Sequence, residues 1–178
     1  MRIRTVIVTL GIGMAALISA CTSSSSHSPP RASPSPHRST TVSGFQAGPD
    51  PCRLVTPQDI FTTLNQHMAE ASRSRSTCSY ANTPRTDSVS ITTAKMTTAS
   101  DAEQAVASTA RTVKVKVEQL PGVGDTAVAY LTTTKTRSVA TCLFAKNGTF
   151  VFLLVGSPNA VHLMQEAIAL ANKAASRI

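Results

Sequence analysis

The dipeptide Asn147-Gly148 constrains the fold of this 178-residue chain more than any other short stretch. It lies between two apolar runs, residues 142–145 and 150–154. Asparagine and glycine both tolerate the positive φ angles that a two-residue hairpin turn requires. The sequence therefore predicts two antiparallel strands here, and an antiparallel sheet as the centre of the fold. The same turn also explains Asn147-Gly148-Thr149, which matches a glycosylation sequon.

Further strands are predicted by the alternation of apolar and polar residues. Val89, Ile91 and Thr93 alternate with polar neighbours, which is typical of a half-buried strand running from Ser88 to Met96. Valines alternate with Lys114 and Lys116 in the same way. We predict additional strands at residues 78–81, 113–117, 126–131 and 137–145.

Three helices are predicted from cap residues and helical spacing. Thr56 as N-cap and Pro57 at N1 begin a helix that we expect to end near Ala69. Ser100 and Glu103 form the pattern of a capping box and begin a helix to about Ala110. Ser157-Pro158 begins a third helix to about Ala175. Its predicted core stripe consists of Val161, Met164, Ile168, Ala171 and Ala175, broadened by Leu163 and Leu170.

These elements define the predicted fold class. Their order is α-β-β-α-β-β-β-β-α, with no internal repeat. The sequence thus predicts a single α+β domain over residues 48–178, with a mainly antiparallel sheet packed by about three helices.

The N-terminus has the pattern of a secretory signal peptide. Arg2 and Arg4 precede an apolar run over residues 6–17, and Ile18-Ser19-Ala20 leads directly to Cys21. A cysteine in this place resembles the bacterial lipobox, so we predict that residues 1–20 are removed and that Cys21 is lipidated. The alternative is an uncleaved signal anchor, but the run is shorter than the about 20 residues of a membrane span. The predicted location is the outer face of the cell membrane.

Residues 21–47 are predicted to be a disordered, lipidated tether. The segment is rich in serine and proline and has no acidic residue, so it has little apolar surface to bury. The formal net charge of the chain is +8, and four of the arginines lie before residue 48. The remaining +4 requires no nucleic-acid partner. Lys114 and Lys116 are read as a solvated strand face, with binding to anionic headgroups or polymers as the alternative.

No constellation of catalytic or metal-binding residues is visible, so we expect no cofactor and no metal site, and we rank an enzyme last among the classes of function. The four histidines (His27, His37, His67 and His162) are scattered, without the spacing of a zinc site. Gly122-Val123-Gly124-Asp125 lacks the strand before it and the helix after it that a dinucleotide-binding loop needs, so it is read as a turn. Beyond Cys21, three cysteines remain (Cys52, Cys78 and Cys142), and three single pairings are open.

Several short motifs occur in an order that resembles a known family. They are residues 50–57 (Asp-Pro-Cys-Arg-Leu-Val-Thr-Pro), residues 78–80 (Cys-Ser-Tyr), residues 122–127 (Gly-Val-Gly-Asp-Thr-Ala), the hairpin and the alanine-rich last helix. Together they resemble the small exported lipoproteins of actinobacteria, of mycobacteria especially, that are grouped under a domain of unknown function. In that family an aromatic residue, often tryptophan, follows two positions after the second cysteine, and here it is Tyr80.

The resemblance implies an exported globular domain with no assigned chemistry, whose first two cysteines, Cys52 and Cys78, are paired. This pairing would also join the start of the first helix to the first strand. Cys142 would then remain as a thiol in an apolar strand, where cysteine usually behaves as a small buried hydrophobe.

Three classes of function follow from these observations. The first is a monomeric, non-catalytic binding module with a small apolar ligand or an envelope protein held in a groove between sheet and helices. The second is a structural or immune-exposed envelope protein, and the third an enzyme whose site is assembled from distant residues. An apolar cavity of roughly several hundred Å³ would favour the first class. A cleft with paired acidic groups or histidines of perturbed pKa would favour the enzyme.

Overall fold

The computed structural model describes residues 46–178, so the predictions for the signal peptide, for Cys21 and for nearly all of the tether lie outside the described residues. Within that range, none of the helices combines the length and apolar character needed to cross a bilayer. The helices are α1 (Pro51–Leu54), α2 (Pro57–Leu64), α3 (Ala99–Thr112) and α4 (Leu163–Ala175). The strands are β1 (Gln46–Ala47), β2 (Ala69–Arg73), β3 (Thr77–Ala81), β4 (Ser88–Lys95), β5 (Glu118–Gln119), β6 (Thr126–Thr133), β7 (Ser138–Lys146) and β8 (Thr149–Ser157).

The eight strands form one sheet in the order β2-β3-β4-β8-β7-β6-β5, with β1 paired to the end of β4. All neighbouring strands are antiparallel. The predicted fold class, an α+β domain with an antiparallel sheet, is therefore confirmed. The predicted hairpin is also present: Asn147 (φ 49°) and Gly148 (φ 70°) join β7 to β8.

The main hydrophobic core lies between one face of the sheet and the helices α1, α2 and α4. Ile91, Cys142 and Leu153 contribute to this core from the strands, and Leu170 from α4. Tyr80 is also buried there, and its hydroxyl donates a hydrogen bond to the carbonyl oxygen of Val55 at 2.7 Å. This bond links β3 to the short connection between α1 and α2.

The opposite face of the sheet is apolar on one side and polar on the other. Helix α3 packs on β6, β7 and β8, where Ala102 and Val106 meet Val128 and Leu143 in a second core. On β3 and β4 the same face is lined by hydroxyl groups. Thr77 bonds to Thr92, and Ser79 to Ser90, each at 3.0 Å across the strands. The alternation that predicts β4 is thus confirmed, because Val89, Ile91 and Thr93 all lie on the buried side.

The first predicted helix is too long. Helix α2 ends at Leu64 because Asn65 adopts a left-handed conformation (φ 53°, ψ 36°) and caps the helix there. Met68 is buried from the segment after the helix. Residues 69–73 then form the edge strand β2, which the sequence did not predict.

The predicted strand over residues 113–117 is wrong, because only Glu118 and Gln119 pair with β6. Val113 and Val117 pack against the core under α3, while the side chain between them, Val115, is 38% exposed. The valines are therefore not on one strand face, and neither are Lys114 and Lys116.

The cap residues of α3 and the start of α4 also differ from the prediction. The capping box of α3 is formed by Thr98 and Asp101, two residues before the pair predicted. Helix α4 begins at Leu163, and Val161 is 64% exposed rather than part of the core stripe. Met164 and Ile168 are half-buried. The fully buried positions of the helix are Leu163, Ala167, Leu170, Ala171, Ala174 and Ala175.

Candidate functional site

A groove of about 490 Å³ lies between α3 and the β5–β6 edge of the sheet. This volume is within the range of small-molecule sites, which are concave and mostly apolar with a few polar groups. The apolar lining consists of Val106, Ala107, Ala110, Val117 and Val128, and the polar lining of Arg111, Gln119 and Thr126.

The sequence produces this groove by placing short side chains on α3 and a short strand at the sheet edge. Ala107 and Ala110 line the groove, and their methyl groups are too short to fill the space above β6. Strand β5 has only two residues, so it covers little of that edge. Alternation along the strands places Gln119 and Val128, which are paired, on the groove side of the sheet.

The rim of the groove is positively charged. The Nε atom of Arg111 donates to the carbonyl oxygen of Ala107 at 3.2 Å, and no salt bridge engages Arg111 within residues 46–178. None of the lining residues is acidic. Glu118 is close in sequence, but it pairs with Ala129, which belongs to the core on the other face of the sheet. Lys114 and Lys116 follow Arg111 along the chain and are exposed.

Two other polar clusters lie outside the lining of this groove. Arg177 donates to both carboxylate oxygens of Asp59, at 2.6 and 2.9 Å. These hydrogen bonds hold the pKa of Asp59 well below its usual range, against the opposing effect of burial, and further bonds from Thr56 act in the same direction. All partners of this carboxylate belong to the protein itself, so the cluster stabilises the fold and offers no free functional group.

The second polar cluster contains Asp87, Glu166 and His162. Burial would raise the pKa of Asp87, but hydrogen bonds from Ser157, Thr86 and Asn82 lower it overall. Burial raises the pKa of Glu166. The environments of the two carboxyl groups therefore differ, as they often do in acid–base enzymes. The α3 groove is lined by none of these side chains.

The predicted cysteine pair is joined in the structure. Cys52 and Cys78 form a disulfide that connects α1 to β3, and a carboxylate oxygen of Glu70 lies 3.7 Å from the Cys52 sulfur. Sulfur atoms in a disulfide lack the thiolate form that metals bind, so this sulfur–carboxylate cluster is not a metal site. Cys142 is a free, buried thiol, and burial raises its pKa to about 12, which makes it a poor nucleophile.

The remaining residues that the sequence singled out do not converge on one site. His67 stacks on Phe61 with 4.3 Å between ring centroids, and His162 precedes α4 in a left-handed conformation. Gly122 and Gly124 belong to a turn, as predicted. None of the sequence motifs indicates Arg111 as a site residue. The signal that could have found it is the series of alanines on the helix predicted to about Ala110, which Arg111 follows directly.

The fold and the groove define an antiparallel α+β domain with an apolar depression between α3 and the β5–β6 edge of its sheet. The structure is similar to the crystal structure of the extracellular domain of PknH from Mycobacterium tuberculosis, with a TM-score of 0.50, 10% sequence identity, and coverage of 75% of this chain and 100% of that chain. It also matches a GTP-binding regulator from Thermotoga maritima with a TM-score of 0.35, 9% identity, and coverage of 71% of this chain and 92% of that chain, which is too weak to support a conclusion. No protein-family model and no curated protein matches the chain. What the first likeness shows is a shared fold.

Proposed function

We propose that this protein is an exported, membrane-anchored lipoprotein of the actinobacterial type, whose domain is a non-catalytic module that binds a small apolar ligand in the α3 groove. The observation that carries the proposal is the groove itself, with five apolar side chains and three polar ones around about 490 Å³. This combination of size and lining falls within the range that small-molecule sites have.

The anchoring part of the proposal is supported by the N-terminal sequence. The residues before Cys21 have the pattern of a lipoprotein signal peptide, and residues 21–47 would act as a tether of roughly 30 Å. The shared fold with an extracellular mycobacterial domain agrees with export. A lipid on Cys21 would keep the groove at the outer surface of the cell membrane, where apolar molecules are available.

A fluorescent probe tests whether the groove binds apolar molecules. The neutral probe N-phenylnaphthylamine becomes fluorescent in an apolar environment, and it is excited at wavelengths that tryptophan does not absorb, so tryptophan variants do not interfere with the measurement. We expect the full mature chain to bind the probe. Ala107→Trp should abolish binding because an indole ring fills the groove, and Ala110→Phe should weaken it. The matched control is Gln104→Trp, at an exposed position of the same helix that is not part of the groove lining.

The outcomes separate the classes of function. Loss of probe binding in the two groove variants, with retention in Gln104→Trp and unchanged circular dichroism, supports the proposal. Probe binding that is absent, or that is equal in all variants, overturns it and favours the structural envelope protein. Intact-mass spectrometry of the protein from its own membrane tests the anchor: the proposal requires a mass of residues 21–178 plus acyl chains.

A further inference from the structure

We infer that the α3 groove selects amphiphiles with an acidic head group, and that Arg111 is the residue that recognises this group. The inference rests on the proposed function, since it assumes that the groove holds a ligand, and adds the chemical class of that ligand. The class is an acyl chain with a terminal carboxylate, which is the simplest molecule that matches an apolar groove with a cationic rim.

Arg111 is placed to bind an anion at the end of an apolar lining. It lies in the last turn of α3, one turn after Ala107, and both residues line the groove. Its Nε atom is held by the carbonyl oxygen of Ala107, and neither terminal nitrogen takes part in a salt bridge within the described residues. A guanidinium group presents parallel N–H donors that match the two oxygens of a carboxylate.

The rest of the lining is complementary to such a ligand. Gln119 and Thr126 supply neutral hydrogen-bonding groups from the sheet side, and no carboxylate lines the groove. The side chain of Glu118 belongs to the opposite face of the sheet, because its partner Ala129 lies in the main core. The exposed Lys114 and Lys116 add positive charge to the segment after Arg111. An anion at the rim would therefore meet attraction without a competing acidic group.

A pair of ligands with the same chain and different heads tests the inference. Dodecanoate and dodecanol are titrated against the bound neutral probe at neutral pH. We expect dodecanoate to displace the probe at a concentration about tenfold lower than dodecanol, since a charge-assisted bond contributes on this order. Arg111→Gln should remove this preference and leave displacement by dodecanol unchanged. Arg111→Lys should keep part of the preference for dodecanoate, because lysine retains the positive charge but lacks the paired N–H donors of the guanidinium group.

The control and the outcomes distinguish this inference from the proposed function. Arg85→Gln removes an exposed arginine that does not line the groove, and it should leave the preference for dodecanoate intact. If both ligands displace the probe equally in the unmodified protein, or if Arg111→Gln keeps the preference, the role of Arg111 is wrong while the apolar groove stands. If neither ligand displaces the probe, the proposed function fails as well.

Discussion

Both terminal nitrogens of Arg177 donate to the carboxylate of Asp59, at 2.6 and 2.9 Å, and one of them also donates to the carbonyl oxygen of Leu54 at 2.7 Å. Asp59 is also the N3 residue of the capping box of α2, since its carboxylate accepts hydrogen bonds from the backbone and the hydroxyl of Thr56. Arg177 follows α4, so the pair of Asp59 and Arg177 joins the end of α1, the start of α2 and the end of α4. The three helices that cover the main core are thereby held together at one point.

Replacement of this carboxylate should destabilise the domain. We expect Asp59→Asn to lower the free energy of unfolding by about 2 kcal/mol, since it removes a charge-assisted pair and weakens a helix cap. The estimate allows for solvent screening, because the Arg177 side chain is 37% exposed and that of Asp59 is 10% exposed. Urea denaturation measures the change. Asp101→Asn is the matched control, because Asp101 caps α3 in the same way without an arginine, and an equal loss in both variants would contradict the role of Arg177.

The same pair should make the stability depend on pH in the acidic range. The pKa of Asp59 is held below its usual range in the folded protein, so its contribution is complete above the unfolded pKa and is lost as the pH falls. We therefore expect the difference in unfolding free energy between the native protein and Asp59→Asn to shrink from about pH 6 to about pH 2. This difference isolates Asp59 from Asp87, whose pKa is also lowered. A difference that stays constant over this range would contradict the prediction.

Local patterns predicted the sheet well because they report on contacts made by neighbouring residues. Asn147-Gly148 specifies its own turn, and the alternation of Val89, Ile91 and Thr93 needs only one buried face. The valines of residues 113–117 show the same alternation, yet β6 pairs with the two residues after them. Val113 and Val117 lie in an irregular segment and are partly buried against the core under α3. Whether these alternating valines form a strand thus depends on which residues pair with β6. The local pattern carries no information about that pairing.

The candidate site could be predicted only in outline. A groove between sheet and helices was one hypothesis from the sequence, but the residues that line it come from α3, β5, β6 and the segment between α3 and β5. Ala107 and Ala110 are small in the sequence, and small residues on a helix usually indicate close packing. Here they leave space, because β5 has only two residues, whereas the sequence predicted a longer strand over residues 113–117. Arg111 could be assigned to the rim of the groove only from the structure, which shows where the β5–β6 edge of the sheet lies.

The disulfide between Cys52 and Cys78 should contribute strongly to stability. It closes a loop with a sequence separation of 26 residues, which corresponds to about 3–4 kcal/mol in the chain-entropy model. We expect the double variant Cys52→Ala with Cys78→Ala to lose about this amount in urea denaturation. The control is reduction: a thiol reductant should lower the unfolding midpoint of the native protein and leave that of the double variant unchanged. No effect of the reductant on the native protein would show that the disulfide contributes little.

The two glycines of the turn before β6 should differ sharply in their tolerance of a side chain. Gly122 (φ +88°) and Gly124 (φ +64°) both adopt left-handed conformations, so alanine is strained at either position. A Cβ atom at Gly122 would meet nothing within 4 Å, whereas one at Gly124 would lie 2.5 Å from the carbonyl oxygen of Ala145.

That carbonyl oxygen cannot move away without loss, because it accepts a hydrogen bond from the backbone N–H of Asp125 at 2.8 Å. We therefore expect Gly122→Ala to cost about 1 kcal/mol from backbone strain alone. Gly124→Ala should cost at least about 2 kcal/mol more, since it also displaces the start of β6 from β7. Thermal denaturation of the two variants measures the difference. Similar losses in both would mean that the turn can shift away from β7, and the contact between Gly124 and Ala145 would then not fix the start of the strand that lines the groove.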